Sequence, residues 1–326
     1  MKETMVVFSS RLATALARYV GLKRALGRRF DNPTRTLQSL DRFLQAHATA
    51  YPDLNAAAFQ AWCRTQEHVA SGSRRARMLE VYNFCLYRRR TEPRCFVPNP
   101  VSFPKPHQIL QPYIFSEQEV ARLLRAASRL KRVRSSPLRP EVIRLAIVLL
   151  FTTGIRRGEL VRLTLSDYDR RDATLLIRES KFHKSRLLPL NGDIVDEMER
   201  YLRARALRKL PISSDTALIW NATRGGRAYS GTNLRGCLRP VLQQCSIFTA
   251  KGQLPRVHDF RHAFAIMRLV TWYREGKNVQ RLLPHLSTYL GHARMSETTR
   301  YLSITRELLK HASRCFELYA RPGGEA

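Results

Sequence analysis

Six prolines crowd one stretch of the chain, EPRCFVPNPVSFPKPHQILQPYIF, at positions 93, 98, 100, 104, 106 and 112. Proline has no amide hydrogen and its ring clashes with the preceding helical turn, so this stretch cannot continue a regular helix and favours an extended connection. A chain of 326 residues is also long enough to form two hydrophobic cores. We therefore predict an N-terminal domain at residues 1–103, a linker at 104–114 and a second domain at 115–326.

Apolar side chains recur at helical spacing before the prolines. Two stripes follow this spacing: Leu37, Leu40, Phe43 and Leu44, and then Met78, Tyr82, Cys85 and Leu86. The periodicity predicts that the N-terminal domain is helical.

The second domain combines helical patterns with one pair of strands. Ser116 and Glu119 have the spacing of a capping box, which begins a helix. A further helix is predicted through Ile143–Phe151, followed by a tight turn at Gly154. Short apolar strands at 174–177 and 186–190 flank a polar turn, which indicates a hairpin. The predicted fold class is thus mostly α with a small β-hairpin: a helical N-terminal domain and a mixed, mainly helical second domain.

The charge of the chain points to a polyanionic partner. Lys and Arg number 57 against 26 Asp and Glu, a formal charge of +31. Such an excess repels itself unless a polyanion is bound, so nucleic acid is the first candidate and an anionic membrane surface the second. No membrane span is predicted, because the longest apolar run, Leu145–Phe151, is bounded by arginines. DNA contacts are predicted for the arginines that flank the second stripe: Arg74, Arg75, Arg77, Arg88, Arg89 and Arg90.

Two histidines and an arginine share one helical turn in the stretch HDFRHAF. His258, Arg261 and His262 stand at i, i+3 and i+4, so all three project from one face of a helix. Zinc is disfavoured, because the general-base Glu of the HExxH motif is absent and a guanidinium would repel the cation. The six cysteines are scattered, with no CxxC pair, as in the reduced thiols of a cytosolic protein. An anion is the better partner, since arginine grips phosphate oxygens bidentately.

The sequence resembles the tyrosine recombinase (phage integrase) family in four boxes that occur in the order of that family. These are TGIRRGEL, ESKFHKSRLLPL, HDFRH and YLGHARMSETTRYLSIT. The resemblance implies six catalytic residues: Arg156, Lys181, His258, Arg261, His292 and Tyr301. It also implies that Glu159 supports the first arginine and that His262 flanks the second. The N-terminal domain then corresponds to a core-binding domain, and residues 115–326 to the catalytic domain.

The chemistry of these residue types agrees with that implication. A tyrosine hydroxyl has a pKa near 10, so Tyr301 needs a base such as His258 to attack phosphorus. Arg156, Arg261 and His292 would then stabilise the charge that develops on the nonbridging oxygens. The leaving 5′ oxygen needs a proton, for which Lys181 is the first candidate and Lys184 the alternative. In the same hairpin, DNA-backbone contacts are predicted for His183, Lys184 and Arg186.

The resemblance implies a site-specific recombinase that needs neither cofactor, metal nor ATP. Its partner would be double-stranded DNA with specific recombination sites, bound by a homotetramer, with other recombinases or accessory proteins as further partners. The expected location is the bacterial cytoplasm, at the nucleoid. Two alternatives remain, a type IB topoisomerase and a non-catalytic DNA-binding accessory protein. One departure from the family is a longer interval before His292, which predicts an insertion around Glu275–Pro284.

Overall fold

The computed structural model describes residues 7–28, 30–105, 111–178, 185–222 and 226–304. The chain divides into two compact units, Met1–Leu110 and Gln111–Ala326. This division falls within the predicted linker at 104–114, whose residues 106–110 lie outside the described part.

The described part of the N-terminal unit contains four α-helices: α1 (Ala13–Ala25), α2 (Asp31–Ala46), α3 (Ala56–Arg64) and α4 (Ser71–Arg88). Their apolar faces meet in one core, in which Leu16, Leu37, Trp62 and Phe84 are fully buried. A 3₁₀ turn at Pro100–Ser102 leads into Phe103, which packs against the same core. The proline-rich segment therefore begins as part of this unit.

The apolar face of α4 differs slightly from the predicted stripe. Its buried residues are Val81, Phe84, Cys85 and Arg88, whereas Met78 and Tyr82 are only half-buried. The predicted stripe therefore covers only the edge of the buried face of α4. Val81 and Phe84 are also apolar, and they share the buried side of the helix with Cys85.

The described part of the second unit contains seven α-helices: α5 (Glu117–Ser128), α6 (Arg139–Thr153), α7 (Arg157–Leu160), α8 (Gly192–Leu207), α9 (Gly231–Gln244), α10 (Asp259–Arg274) and α11 (Val279–Leu290). Residues 296–304 are also helical. The apolar helix α6 is buried on all sides because α5, α8 and α10 pack around it. The predicted capping box of Ser116 and Glu119 begins α5, as expected.

The predicted hairpin lies in a three-stranded antiparallel sheet of order β1 (Tyr168–Asp169), β2 (Thr174–Ile177) and β3 (Arg186–Pro189). Leu175 faces Leu188 across the pair, and both side chains are buried. The sequence did not predict β1, since two residues are too few to show an alternating pattern. A second small sheet pairs β4 (Trp220–Asn221) with β5 (Arg227–Ala228).

The interval predicted as an insertion, 275–284, forms regular structure. A turn follows α10, and the side chain of Asn278 then caps α11 by accepting a hydrogen bond from Arg281 N at 3.1 Å. Pro284 lies inside α11. The interval is thus the connection between two helices and the first half of the second. Among the described residues, the helices are too short or too polar to cross a membrane.

Candidate active site

The turn after α6 places the first arginine of the site. Gly154 ends α6 in the left-handed conformation, with φ +61°, and a β-carbon there would lie 2.6 Å from the ring of Phe264. Two residues later, Arg156 takes the N-cap position of α7. Its backbone amide donates to Glu159 Oε2 at 2.9 Å, and its Nη1 donates to Glu159 Oε1 at 2.8 Å. Glu159 therefore holds both the backbone and the side chain of Arg156.

Glu159 also binds a second arginine. Arg186, at the start of β3, donates from Nη2 to Oε2 at 2.8 Å and from Nη1 to Oε1 at 3.2 Å. Burial raises the pKa of Glu159, but the hydrogen bonds and charge of Arg186, with those of Arg156, outweigh burial and lower the pKa to about 2. The carboxylate is ionised at neutral pH, and its single charge faces two guanidinium groups.

The C-terminus of α11 accepts hydrogen bonds from three arginines. The last carbonyls of a helix have no partner within the helix and carry partial negative charge. The three bonds are Arg186 Nε to Tyr289 O at 2.8 Å, Arg261 Nη2 to Leu290 O at 2.7 Å and Arg156 Nη2 to Gly291 O at 2.7 Å. The next residue along the chain is His292, so the same bonds fix its backbone relative to the arginines.

Arg261 is the most buried of these three arginines, with 1% of its surface exposed. Its Nη1 donates to the carbonyl of Gly154 at 2.8 Å. Burial, followed by the charge of Arg156, lowers the pKa of Arg261 to about 10. Because this value is well above 7, the guanidinium stays charged at neutral pH, and neutral carbonyls hold it in place.

Tyr301 lies beside this arginine cluster and is 4% exposed. Its hydroxyl is 3.1 Å from Nδ1 of His262, and it is also within hydrogen-bonding reach of Arg261. Burial raises the pKa of Tyr301 above 10, although the charge of Arg261 opposes this effect. The phenol is therefore protonated at neutral pH and would need an acceptor for its proton before it could act as a nucleophile.

Two histidines, His262 and His292, contact the tyrosine, and a third, His258, contacts His262. The rings of His258 and His262 meet edge to face with centroids 4.7 Å apart, and the ring of His292 stacks on Tyr301 at 6.2 Å. His292 Nδ1 also hydrogen-bonds Thr298 Oγ1 at 2.7 Å.

The same surroundings lower the pKa of all three histidines. Burial, followed by Arg261 and Arg156, lowers the pKa of His292 to about 3, and burial with His258 lowers the pKa of His262 to about 4. Burial, followed by Arg261, also lowers the pKa of His258 to about 4. At neutral pH the three imidazoles are uncharged and can accept protons.

The structure brings seven of the predicted catalytic and supporting residues together: Arg156, Glu159, His258, Arg261, His262, His292 and Tyr301. Lys181, His183 and Lys184 lie outside the described residues. Thr298, fully buried beside His292, was missed, because a lone threonine has no sequence signal for this role. Within the described residues, no group of three or more His, Cys, Asp or Glu side chains lies close enough to hold a metal ion.

The arginines predicted to bind DNA fall into different environments. Arg89 and Arg90 are exposed, whereas Arg75 donates to the carbonyl of Pro104 at 3.1 Å. Arg77 donates to Gln66 and lines a polar groove between α2 and α4 that also contains Arg35. Arg74 is half-buried on the same helix.

Two of those predicted DNA contacts need correction. Arg88 is buried and donates to both oxygens of Asp53 and to Glu92, so its hydrogen-bonding groups are taken by acids. The side chain of Arg186 is 10% exposed and is taken by Glu159 and the end of α11. Both guanidinium groups therefore donate their hydrogen bonds to protein acceptors.

Comparison with known proteins finds similar sequences over most of the chain. Residues 114–307 match the model of the phage integrase family. The chain is 32% identical to the candidate integrase/recombinase y4rB of Sinorhizobium fredii (strain NBRC 101917 / NGR234), over 93% of this chain and 96% of that protein. It is 27% identical to the tyrosine recombinase XerA of Thermococcus kodakarensis (strain ATCC BAA-918 / JCM 12380 / KOD1), over 56% of this chain and 58% of that protein.

Solved structures show the same fold. The site-specific recombinase XerH bound to its difH substrate, before cleavage, matches with a TM-score of 0.61 at 17% identity, covering 88% of this chain and 78% of that one. A lambda integrase dimer bound to a COC′ core site matches with a TM-score of 0.59 at 15% identity, covering 98% and 81%. With the family match across more than half of the chain, these findings show that the protein belongs to the phage integrase family of tyrosine recombinases, which are DNA strand transferases.

Proposed function

We propose that this protein cleaves and rejoins DNA at specific sites through a 3′-phosphotyrosyl intermediate, without metal or ATP. The observation that carries the proposal is the environment of Tyr301: a buried phenol hydroxyl next to neutral imidazoles and to guanidinium groups that remain charged. A phosphate diester placed here would meet a nucleophile, a proton acceptor and fixed positive charge together.

In the proposed cleavage step, the oxygen of Tyr301 forms a bond to phosphorus while the bond from phosphorus to the 5′ oxygen breaks. The proton of the phenol passes to an imidazole, and the departing 5′ oxygen takes a proton from Lys181. Arg156 and Arg261 stabilise the negative charge on the nonbridging oxygens. The phosphotyrosyl bond keeps the energy of the diester, so a 5′ hydroxyl of another strand can attack it and reverse the step.

His262 is proposed as the first acceptor of the phenol proton, in place of His258. The hydrogen bond of 3.1 Å between His262 Nδ1 and the hydroxyl of Tyr301 supports this assignment, as does the neutral state of the ring. His258 contacts the ring of His262 edge to face, and its pKa is lowered by the charge of Arg261. We therefore place His258 beside the phosphate that Arg261 stabilises.

The proposal can be tested by trapping the covalent intermediate. End-labelled DNA with a nick next to the cleavage site should yield a protein–DNA adduct with the wild-type protein and none with Tyr301→Phe, which lacks only the attacking oxygen. Tyr273→Phe, on α10, is the matched control and should form the adduct normally. An adduct that persists in Tyr301→Phe, or that maps to Tyr289 or Tyr319, contradicts the assignment, and a wild-type protein without adduct favours an accessory protein.

The partner and assembly follow from the same proposal. Recombination joins two sites, so a homotetramer on double-stranded DNA is the expected active form, acting at the nucleoid in the bacterial cytoplasm. A type IB topoisomerase would instead relax supercoiled plasmid as a monomer and without a specific site. Relaxation of plasmids that lack any recombination site, at the rate seen on plasmids that contain one, would favour the topoisomerase.

A further inference from the structure

The guanidinium of Arg186 is hydrogen-bonded within the protein, although this residue is predicted to contact the DNA backbone. All three nitrogens of its guanidinium donate hydrogen bonds within the protein: Nε to Tyr289 O at 2.8 Å, and both Nη atoms to the carboxylate of Glu159. Its side chain is 10% exposed and that of Glu159 is 2% exposed. A guanidinium with these partners has little surface left for a ligand from solution.

The partners of Arg186 lie on separate elements that each carry part of the site. Arg186 itself begins β3 of the hairpin, Glu159 lies on α7 and orients Arg156, and Tyr289 lies at the end of α11 just before His292. One planar side chain thus joins the hairpin, the first arginine and the backbone that carries His292. A lysine could not replace it, because a single ammonium nitrogen lacks the fork geometry that serves a carboxylate and a carbonyl together.

Close packing also fixes Arg186 against the end of α11. Gly291 has a φ of +66°, and a β-carbon there would lie 2.7 Å from Nη1 of Arg186. The guanidinium therefore lies directly against the backbone at the residue before His292. Movement of this side chain would be transmitted to His292 and, through Glu159, to Arg156.

We propose that Arg186 is a positioning residue for the strand-transfer reaction, and that it aligns Arg156 and His292 rather than binding a DNA phosphate. This inference rests on the proposed function, since it assumes that Arg156 and His292 act on the scissile phosphate. It replaces the prediction that Arg186 contacts the DNA backbone.

The salt dependence of DNA binding separates positioning from phosphate contact. Each lost phosphate contact makes the slope of log affinity against log salt shallower by about one. Arg186→Ala should therefore keep the wild-type slope, while single-turnover adduct formation at saturating DNA falls about 100-fold, the loss expected when a catalytic group moves by about 1 Å. Arg171→Ala removes the same charge from an exposed position in the turn between β1 and β2 and should cleave at the wild-type rate.

Arg186→Lys provides a second variant that keeps the positive charge. It should recover only part of the lost rate, since one nitrogen cannot serve both Glu159 and Tyr289 O. Full recovery by lysine would mean that charge alone is needed and would overturn the proposal. A slope that is shallower by about one in Arg186→Ala, with a normal rate at saturating DNA, would overturn it as well.

A double-mutant cycle tests whether Arg186 acts through Glu159. If it does, the Arg186→Ala substitution should slow cleavage much less in a Glu159→Gln background than in the wild type.

The pH profile of cleavage gives an independent readout. Without Arg186 the pKa of Glu159 should rise, so activity should be lost at a higher pH as the solution is acidified. If the two substitutions slow cleavage additively and the pH profile is unchanged in Arg186→Ala, Arg186 does not act through Glu159.

The controls distinguish this inference from the proposed function. Formation of the wild-type adduct at Tyr301 tests the proposed function alone. If the wild-type protein forms no adduct, the proposed function has failed; if it forms one and Arg186→Ala cleaves at the same rate, only the inference on Arg186 has failed. DNA binding by Arg186→Ala at wild-type affinity, with a native circular dichroism spectrum at the assay temperature, shows that a lost rate does not come from unfolding.

Discussion

The two units of the molecule use buried guanidinium groups in opposite ways. In the N-terminal unit, Arg88 meets two carboxylates, Asp53 and Glu92, at 2.7 and 2.5 Å. In the second unit, one carboxylate, Glu159, meets two arginines at 2.8 Å each, and backbone carbonyls supply the other acceptors. The first cluster has an excess of negative charge and the second an excess of positive charge.

This difference shows what each cluster is suited to do. Two carboxylates neutralise Arg88, so its ion pairs fasten α4 to the loop that contains Asp53. Carbonyls satisfy the hydrogen-bonding groups of Arg261 and leave its charge in place, and Arg156 shares the single charge of Glu159 with Arg186. A charge that is held rigidly and not neutralised can stabilise an anion without reorganisation, which is the property that a phosphoryl-transfer site needs.

The largest expected effect comes from removing one arginine from each cluster. Arg261→Ala should slow adduct formation at saturating DNA about 1,000-fold, because it removes a fixed positive charge beside Tyr301. Arg88→Ala should leave this rate unchanged, since its charge serves two acids of the other unit. Single-turnover cleavage, with circular dichroism to confirm folding, measures both. Similar losses in the two variants would show that the charge balance of the clusters does not decide their roles.

The next largest effect separates the charged clamp from the proton donor. Lys181→Ala should slow cleavage about 100-fold on ordinary DNA, because the 5′ oxygen would leave as an alkoxide. A substrate with sulfur at the bridging 5′ position has a leaving group of much lower pKa, so Lys181→Ala should regain most of its rate there. Arg261→Ala should not, because sulfur at that position does not replace the positive charge that stabilises the nonbridging oxygens. If Lys184→Ala is rescued and Lys181→Ala is not, Lys184 is the acid.

The sequence predicted which residues form the second cluster better than it predicted their contacts. The spacing of His258, Arg261 and His262 indicated one helical face, and α10 places them there. The sequence did not indicate that Arg156, Arg261 and Arg186 also donate to backbone carbonyls, because every residue has a carbonyl and only the fold decides which ones meet.

The same limit applies to the N-terminal unit. Arg88 reads as part of a basic run, and nothing in that run points to Asp53, 35 positions earlier in the chain. Helical periodicity finds the elements, and the pairing of charges depends on how those elements pack. The exposed neighbours Arg89 and Arg90 remain predicted DNA contacts.

A smaller effect concerns the stability of the N-terminal unit. Arg88→Ala should lower the free energy of unfolding by about 2 kcal/mol, because two carboxylates lose their guanidinium partner, although their exposure to water reduces the penalty. Arg89→Ala, one residue further along and exposed, should change it by less than about 0.5 kcal/mol. Urea denaturation of the full chain measures both. Equal stability of the two variants would mean that the ion pairs of Arg88 contribute nothing measurable.

The smallest expected effect is a difference in how the two clusters respond to acid. The histidines of the second cluster have folded pKa values below the ordinary 6.5, so the unfolded chain binds protons more readily than the folded chain between pH 6.5 and about 4. Stability should therefore already fall as the pH drops through this window. The carboxylates behave differently: Arg88 holds the pKa of Asp53 below 3.8 despite burial, and Arg186 helps to hold that of Glu159 at about 2. Their contributions should be lost only below about pH 4, where the unfolded acids take up protons first.

The His292→Asn variant tests this difference, because asparagine keeps a polar partner for Thr298 but cannot titrate. Between pH 6.5 and 4, the variant should make the slope of stability against pH shallower by at most about 1.4 kcal/mol per pH unit. Below pH 4 the slope should be unchanged. Urea denaturation at a series of pH values measures both slopes. An unchanged slope above pH 4 in this variant would show that burial and the arginines do not hold His292 neutral, and the contrast between the two clusters would then rest on their carboxylates alone.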